Sequence, residues 1–71
     1  DMVVEIIAAL RKYKSNNSMS MNKELKRVII DNQEIKSLAD VIRTTMKIKQ
    51  LVFGKVEGGI ETKTTRIEVF S

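Results

Sequence analysis

Apolar residues recur with a helical spacing in some segments of this chain and a strand spacing in others, and the order of those segments most constrains the fold. Residues 2–14 carry apolar side chains three and four positions apart, which predicts a first helix. Residues 25–30 end in a run of β-branched side chains and predict a strand. Residues 35–46 return to the helical spacing, and Asp31 or Asn32 is placed to cap that second helix. The predicted buried face of the second helix comprises Ile35, Leu38, Ala39, Ile42 and Met46.

Two further strands follow the second helix. Residues 50–53 form a short apolar run and residues 64–70 alternate, with a turn predicted at Gly58-Gly59 between them. The order α-β-α-β-β contains a strand–helix–strand unit, which crosses over right-handed and places its two strands parallel. The last two strands then form an antiparallel hairpin. We predict an α+β fold: one small domain with a three-stranded mixed sheet and two helices on one face.

The first helix is apolar around much of its circumference. Its main stripe runs through Ile6 and Leu10 and continues at Tyr13 or Lys14. Such a wide apolar surface needs cover from two sides, so we predict that a partner outside the chain covers one side, which is exposed in the isolated chain. Part of the set Val3, Val4, Ile7 and Ala8 is expected to be exposed there or involved in a self-contact. Because the chain begins at Asp1 rather than at a methionine, we expect it to be part of a longer polypeptide.

The composition argues against catalytic and metal sites. With no cysteine and no histidine among its 71 residues, the chain lacks thiolate and imidazole ligands, the commonest general base and the usual nucleophile dyads. The carboxylates of Asp31 and Glu34 lie at a predicted helix start, where capping accounts for them. Gly58-Gly59 lacks the lysine and hydroxyl of a phosphate-binding loop. We therefore predict no catalytic, cofactor or metal site, and no segment that spans a membrane.

The basic residues are concentrated in one stretch of the chain. The net charge is +4, yet between residues 11 and 27 the only carboxylate is that of Glu24. The candidates for contact with phosphate groups are Arg11, Lys12, Lys14, Lys23, Lys26 and Arg27. Phosphate binding and a solvated surface both account for this pattern. With only Tyr13, Phe53 and Phe70 aromatic, the sequence predicts no platform on which nucleic-acid bases stack.

Several segments resemble one protein family. Residues 7–15 (IAALRKYKS), 19–25 (MSMNKEL) and the strand at 28–30 look like the region after the anticodon-binding helical bundle of class I aminoacyl-tRNA synthetases for valine, isoleucine and leucine. Residues 35–48 and 51–54 are similar to the helix and strand that follow there. The archaeal-type valyl enzymes are the best match within that family.

The resemblance implies a parent ligase that uses ATP and Mg to join valine to its tRNA in the cytoplasm. The "HIGH" and "KMSKS" signatures of its active site are absent from this chain, so no cofactor is expected here. Residues 1–71 would be a single C-terminal module, with residues 1–17 continuing the helical bundle and residues 25–70 forming a β-α-β-β unit. The positions that match the family's basic helix end and following loop are Arg11, Lys14 and Lys23.

Together, these expectations predict that the chain is a non-catalytic C-terminal module of a valine–tRNA ligase. The module would support tRNA binding through contacts with the phosphate backbone. Its expected partners are tRNA and the remainder of the parent synthetase, with no membrane and no obligate small-molecule ligand. Two alternatives remain open. The chain could be a structural docking domain that braces the parent enzyme, or a free-standing small basic protein that binds nucleic acid.

Overall fold

The computed structural model describes residues 2–20 and 22–70, so the expected helical residue Asp1 lies outside the described part. The elements in chain order are α1 (Met2–Asn16), β1 (Leu25–Asp31), a 3-10 helix (Gln33–Leu38), α2 (Ala39–Met46), β2 (Ile48–Phe53), β3 (Ile60–Glu61) and β4 (Arg66–Phe70). The predicted α+β class is confirmed. None of the helices in the two described ranges has the length and apolar character needed to cross a membrane.

The sheet has four strands, in the order β2-β1-β4-β3, where three were predicted. β1 and β2 are parallel, with Val28 opposite Leu51, as expected for the strand–helix–strand unit. β4 is antiparallel to β1, with Ile30 opposite Ile67. The predicted hairpin between β2 and the final strand is therefore wrong, because β4 lies on the other side of β1 and its hairpin partner is the short β3.

The segment between β2 and β3 explains why the last strand changes sides. The backbone N–H of Gly54 donates to the carbonyl oxygen of Ile30 at 3.1 Å, and that of Val56 donates to Oδ2 of Asp31 at 3.3 Å. The side chain of Val56 is also buried. These contacts carry the chain past the end of β1, so β4 pairs with the edge of β1 that β2 leaves unpaired.

One face of the sheet forms the core together with both helices. The fully or nearly fully buried residues of this cluster are Ile6, Leu10, Leu25, Val28, Ile30, Ile35, Ile42, Met46, Ile48 and Ile67. The helices therefore share one face of the sheet, as predicted. The opposite face, which we call the open face, carries Arg27, Gln50, Val52 and Phe70, all of them exposed.

The second helical segment begins as a 3-10 helix and continues as α2. Asn32 caps it, since its side-chain oxygen accepts from the backbone N–H of Glu34 at 3.0 Å. Ile35 and Ile42 are buried as predicted. Leu38 is 42% exposed, contrary to the prediction, because it occupies the junction between the two helices with a non-helical backbone at φ −104° and ψ 11°.

Candidate functional site

The topology gathers most of the basic residues at one end of the molecule. β1 and β2 are parallel and start at the same end, and β4 finishes there, since Phe70 lies opposite Arg27. Both α-helices also end at this side, because α1 leads into β1 and α2 leads directly into β2. The backbone N–H of Leu25 joins the two strand starts by donating to the carbonyl oxygen of Lys47 at 2.9 Å. We call this the basic end.

The basic end contains all of the candidate residues and adds two cations that the sequence reasoning missed. Its members are Arg11, Lys12, Lys14, Lys23, Lys26, Arg27, Lys47 and Lys49. The carboxylate of Glu24 lies in the same part of the chain, directly before β1. Lys47 and Lys49 were missed because they are distant from the basic stretch along the chain and reach it only through the parallel pairing of β1 and β2.

A first cleft at the basic end lies between the ends of the two α-helices. This helix-end cleft has a volume of about 360 Å³ and is lined by Arg11, Asn22, Thr45, Met46 and Lys47. Lys47 closes α2 in the left-handed conformation, with φ 54°. Its Nζ donates to Oδ1 of Asn22 at 3.2 Å, which holds the ammonium beside the loop that leads to β1. Two cations and no carboxylate line this cleft, so it favours an anion.

Lys14 is fully buried behind this cleft. Its Nζ donates to the carbonyl oxygen of Met46 at 3.0 Å, at the C-terminal end of α2. Burial lowers the pKa of Lys14 from its ordinary value of 10.5, and the positive charge of Lys47 lowers the pKa further. A side chain held in this way has no surface with which to bind phosphate. The expectation of such contact therefore does not fit Lys14, whose ammonium joins α1 to the end of α2.

A second cleft lies on the open face of the sheet. This open-face cleft has a volume of about 280 Å³ and is lined by Lys26, Arg27, Gln50 and Phe70. Three neighbouring strands contribute to it, because Arg27 on β1 lies between Gln50 on β2 and Phe70 on β4. The guanidinium carbon of Arg27 lies 4.6 Å from the centre of the Phe70 ring, a cation–π contact. The lining is cationic and aromatic and contains no carboxylate.

Lys12 and Lys23 belong to neither cleft. Lys12 is exposed on α1. Lys23 is exposed in the loop before β1, where its backbone N–H donates to the carbonyl oxygen of Ser20 at 3.0 Å. Both side chains extend the basic end without lining a cavity. The candidates therefore share one end of the fold but are divided between two clefts and the surface around them.

The opposite end of the molecule carries charges of both signs. A cleft of about 360 Å³ there is lined by Asp31, Glu61, Thr62, Lys63, Thr64, Thr65 and Arg66. Arg66 is paired with Glu61 at 3.2 Å, and buried Thr65 accepts a hydrogen bond from Asn32 at 3.0 Å. These polar groups hold the β3–β4 hairpin to the rest of the fold. Within residues 2–20 and 22–70, no three Asp and Glu side chains are grouped as a metal site would require.

Comparison with known proteins shows a similarity to a valine–tRNA ligase. The chain is 36% identical, over 72 aligned positions covering 96% of its length, to a valine–tRNA ligase from Pyrococcus furiosus. It spans 8% of the length of that ligase. No family model matches the chain, and no solved structure matches it significantly. The resemblance to valyl-type synthetases that the sequence suggested is confirmed by this match.

Proposed function

We propose that this chain, which is similar to a segment of a valine–tRNA ligase, is a non-catalytic C-terminal module of such an enzyme. In this proposal the basic end contacts the phosphate backbone of tRNA beside the anticodon-binding helical bundle. The ATP- and Mg-dependent joining of valine to tRNA would belong to other parts of the enzyme.

The observation that carries the proposal is the gathering of cations from three separate segments at one end of the fold. The end of α1, the start of β1 with the loop before it, and the junction between α2 and β2 each contribute. A local run of lysines is often simply solvated, whereas here the tertiary structure adds Lys47 and Lys49 to the basic stretch. Such a surface attracts a polyanion and favours backbone contact over reading of base sequence.

The helix-end cleft is the strongest candidate for a direct phosphate contact. Arg11 and Lys47 supply positive charge from two different helices, and Asn22 and Thr45 supply neutral polar groups beside them. Arg11 presents a planar fork of N–H donors that matches two phosphate oxygens, whereas Lys47 acts as a point charge. Because Lys14 and Asn22 hold the end of α2 and the Lys47 side chain in place, little ordering is required on binding.

A salt titration of tRNA binding tests the proposal. We expect weak binding whose logarithm falls linearly with the logarithm of salt concentration, because phosphate contacts release counterions from RNA. Arg11→Ala and Lys47→Ala should each reduce the slope by about one. The measurement is the dissociation constant of tRNA at several salt concentrations for the wild-type chain and for each variant.

Lys63→Ala is the matched control for charge removal. Lys63 is exposed at the opposite end of the molecule, so its removal lowers the net charge by the same amount without touching the basic end. The slope should then match that of the wild-type chain. Absence of tRNA binding, or an equal effect of all three substitutions, would overturn the proposal.

The second candidate function is a structural docking domain, and the exposed side of α1 favours it. Val4 is 63% exposed and Ala8 is also exposed, as predicted for a helix that needs a partner on its outer side. The two functions are compatible, since α1 can face protein while the basic end faces RNA. Docking alone is indicated if tRNA binding is absent or independent of salt.

A further inference from the structure

The open-face cleft differs from the rest of the basic end because it offers an aromatic ring, at a position where the sequence predicted no platform for base stacking. Tyr13 and Phe53 are partly buried against the core, whereas Phe70 lies on the open face and is 37% exposed. The Arg27 guanidinium lies over its ring at 4.6 Å. A surface cation–π pair of this kind can be purely structural, contributing about 0.5–1 kcal/mol. Here, however, it forms one wall of a cleft of about 280 Å³ with two further polar side chains.

We propose that the open-face cleft binds one unpaired base of an RNA strand. The base stacks against the surface formed by Arg27 and Phe70, while Lys26 contacts an adjoining phosphate and Gln50 offers its amide to the base edge. Aromatic rings and arginine guanidinium planes are the groups on which proteins stack unpaired RNA bases. The inference rests on the proposed function, that this end of the molecule binds RNA, and names the part of the RNA that one of its clefts receives.

The arrangement of strands supports a flat stacking surface at this position. Arg27 lies in the register directly between Gln50 and Phe70 on its two neighbouring strands. Side chains opposite each other on one face of a sheet stand close together, about 4.5–5.5 Å apart at their Cβ atoms in an antiparallel pair. The guanidinium covers one face of the Phe70 ring, so the base stacks on the outer side of this pair, beside the Gln50 amide. A paired base cannot use it, because both of its faces are covered by stacking inside a duplex.

The charge of the lining favours RNA over an apolar protein segment. Lys26 and Arg27 line the cleft and no carboxylate does, so the cleft attracts anionic ligands. The open face continues farther along the sheet, where Val52 is 36% exposed, Ile29 is partly buried and Glu68 lies opposite Ile29 on β4. A docked protein segment would contact this continuation as well as the cleft. A single base would contact the cleft alone. This difference makes the two occupants separable by substitution.

The test compares probes that differ only in their bases. Fluorescence anisotropy measures binding of the 71-residue chain to a single-stranded RNA oligomer, to an abasic oligomer with the same number of phosphates, and to a duplex of the same length. We expect the single strand to bind about 5- to 100-fold more tightly than the abasic strand, because stacking of one base has that effect. The duplex should show no gain from its bases.

Substitutions show which side chains of the cleft produce the difference in affinity between base-containing and abasic strands. Phe70→Leu should abolish the difference between the base-containing and abasic strands, and Phe70→Tyr, which retains a ring, should preserve it. Arg27→Lys keeps the charge but loses the planar guanidinium, so it should reduce the difference without changing the salt slope. Val52→Ser, on the same face beyond the cleft, should leave RNA binding unchanged. Circular dichroism verifies the fold of each variant. If Phe70→Leu does not fold, the results for Arg27→Lys and Phe70→Tyr decide whether base stacking occurs in the cleft.

The outcomes separate this inference from the proposed function. Equal, salt-dependent binding of base-containing and abasic strands would overturn base stacking and leave phosphate binding by the basic end intact. Absence of binding to any of these RNAs and to tRNA would overturn both. Weakening of RNA binding by Val52→Ser to the same extent as by Phe70→Leu would indicate that RNA lies across the whole open face and not in the cleft alone, and would also overturn the inference.

Discussion

At the scale of single residues, Lys14 shows how position within a helix outweighs residue type. It lies one helical turn after Leu10 on the stripe that begins at Ile6, and all three side chains are buried. The aliphatic part of a lysine side chain can occupy an apolar stripe, provided that the ammonium finds an acceptor. The carbonyl of Met46 is that acceptor, and it is one of the C-terminal carbonyls that α2 cannot satisfy within itself.

The depressed pKa of Lys14 leads to a prediction about pH. Burial disfavours the charged form in the folded state, so between the folded pKa and the ordinary value of 10.5 the unfolded chain binds more protons. The stability of the wild-type chain relative to Lys14→Met should therefore rise as pH increases through this window toward 10.5. The measurement is the free energy of unfolding of both proteins in urea at several pH values.

Lys14→Met is a suitable reference because methionine fills a similar volume without an ionisable group. The two proteins share every other ionisable side chain, so the remaining contributions to the pH dependence of stability largely cancel in the difference. Lys47 is the neighbouring charge that adds to the effect of burial. A difference in stability that stays constant across the window would contradict a buried ammonium at this position.

At the scale of elements, the short strand β3 depends on the conformation of the turn before it. Gly59 has φ 79°, in the left-handed region, and a Cβ atom added there would overlap the carbonyl oxygen of Ile67 on β4. Gly58 has open space around it, with nothing within 4 Å of an added Cβ. The two adjacent glycines, which look alike in the sequence, therefore have different roles in holding the β3–β4 hairpin.

Alanine substitutions distinguish the two glycines. Gly59→Ala should lower the free energy of unfolding by about 1–3 kcal/mol or more, because it combines an unfavourable backbone conformation with a clash against β4. Gly58→Ala serves as the matched control and should change stability by no more than about 0.5 kcal/mol. Urea unfolding followed by circular dichroism measures both. Similar losses in the two variants would mean that the turn differs from the one described.

At the scale of the whole molecule, α1 has one side in the core and another facing outward. Ile6 is fully buried, while Val4 is 63% exposed only two positions away. Four further apolar residues are exposed, namely Leu38 and Val41 in the second helical segment and Val52 and Phe70 on the open face. Apolar surface of this kind on a small domain is consistent with contacts to a larger body, as in the docking function proposed above.

Paired substitutions in α1 test that orientation. Val4→Ala should leave the free energy of unfolding nearly unchanged, within about 0.5 kcal/mol, because the side chain makes little contact within the chain. Ile6→Ala should cost about 2–5 kcal/mol, since it opens a cavity in the core of a small domain. Equal losses in the two variants would show that the outer side of α1 is covered, and a dependence on protein concentration would attribute that cover to self-association.

The local pattern of residues was sufficient to predict the helices, the three longer strands, a helix cap at Asp31 or Asn32 and the concentration of basic charge, and the structure selects Asn32 as the cap. Period and propensity act over a few residues, and they indicate which side of an element faces the core. The structure corrected what depends on distant segments: the side of β1 on which β4 pairs, the addition of β3 and the exposure of Leu38. It also placed Lys47 beside Arg11 and buried Lys14 against Met46. These outcomes follow from hydrogen bonds and packing between residues far apart in the chain, which no local pattern encodes.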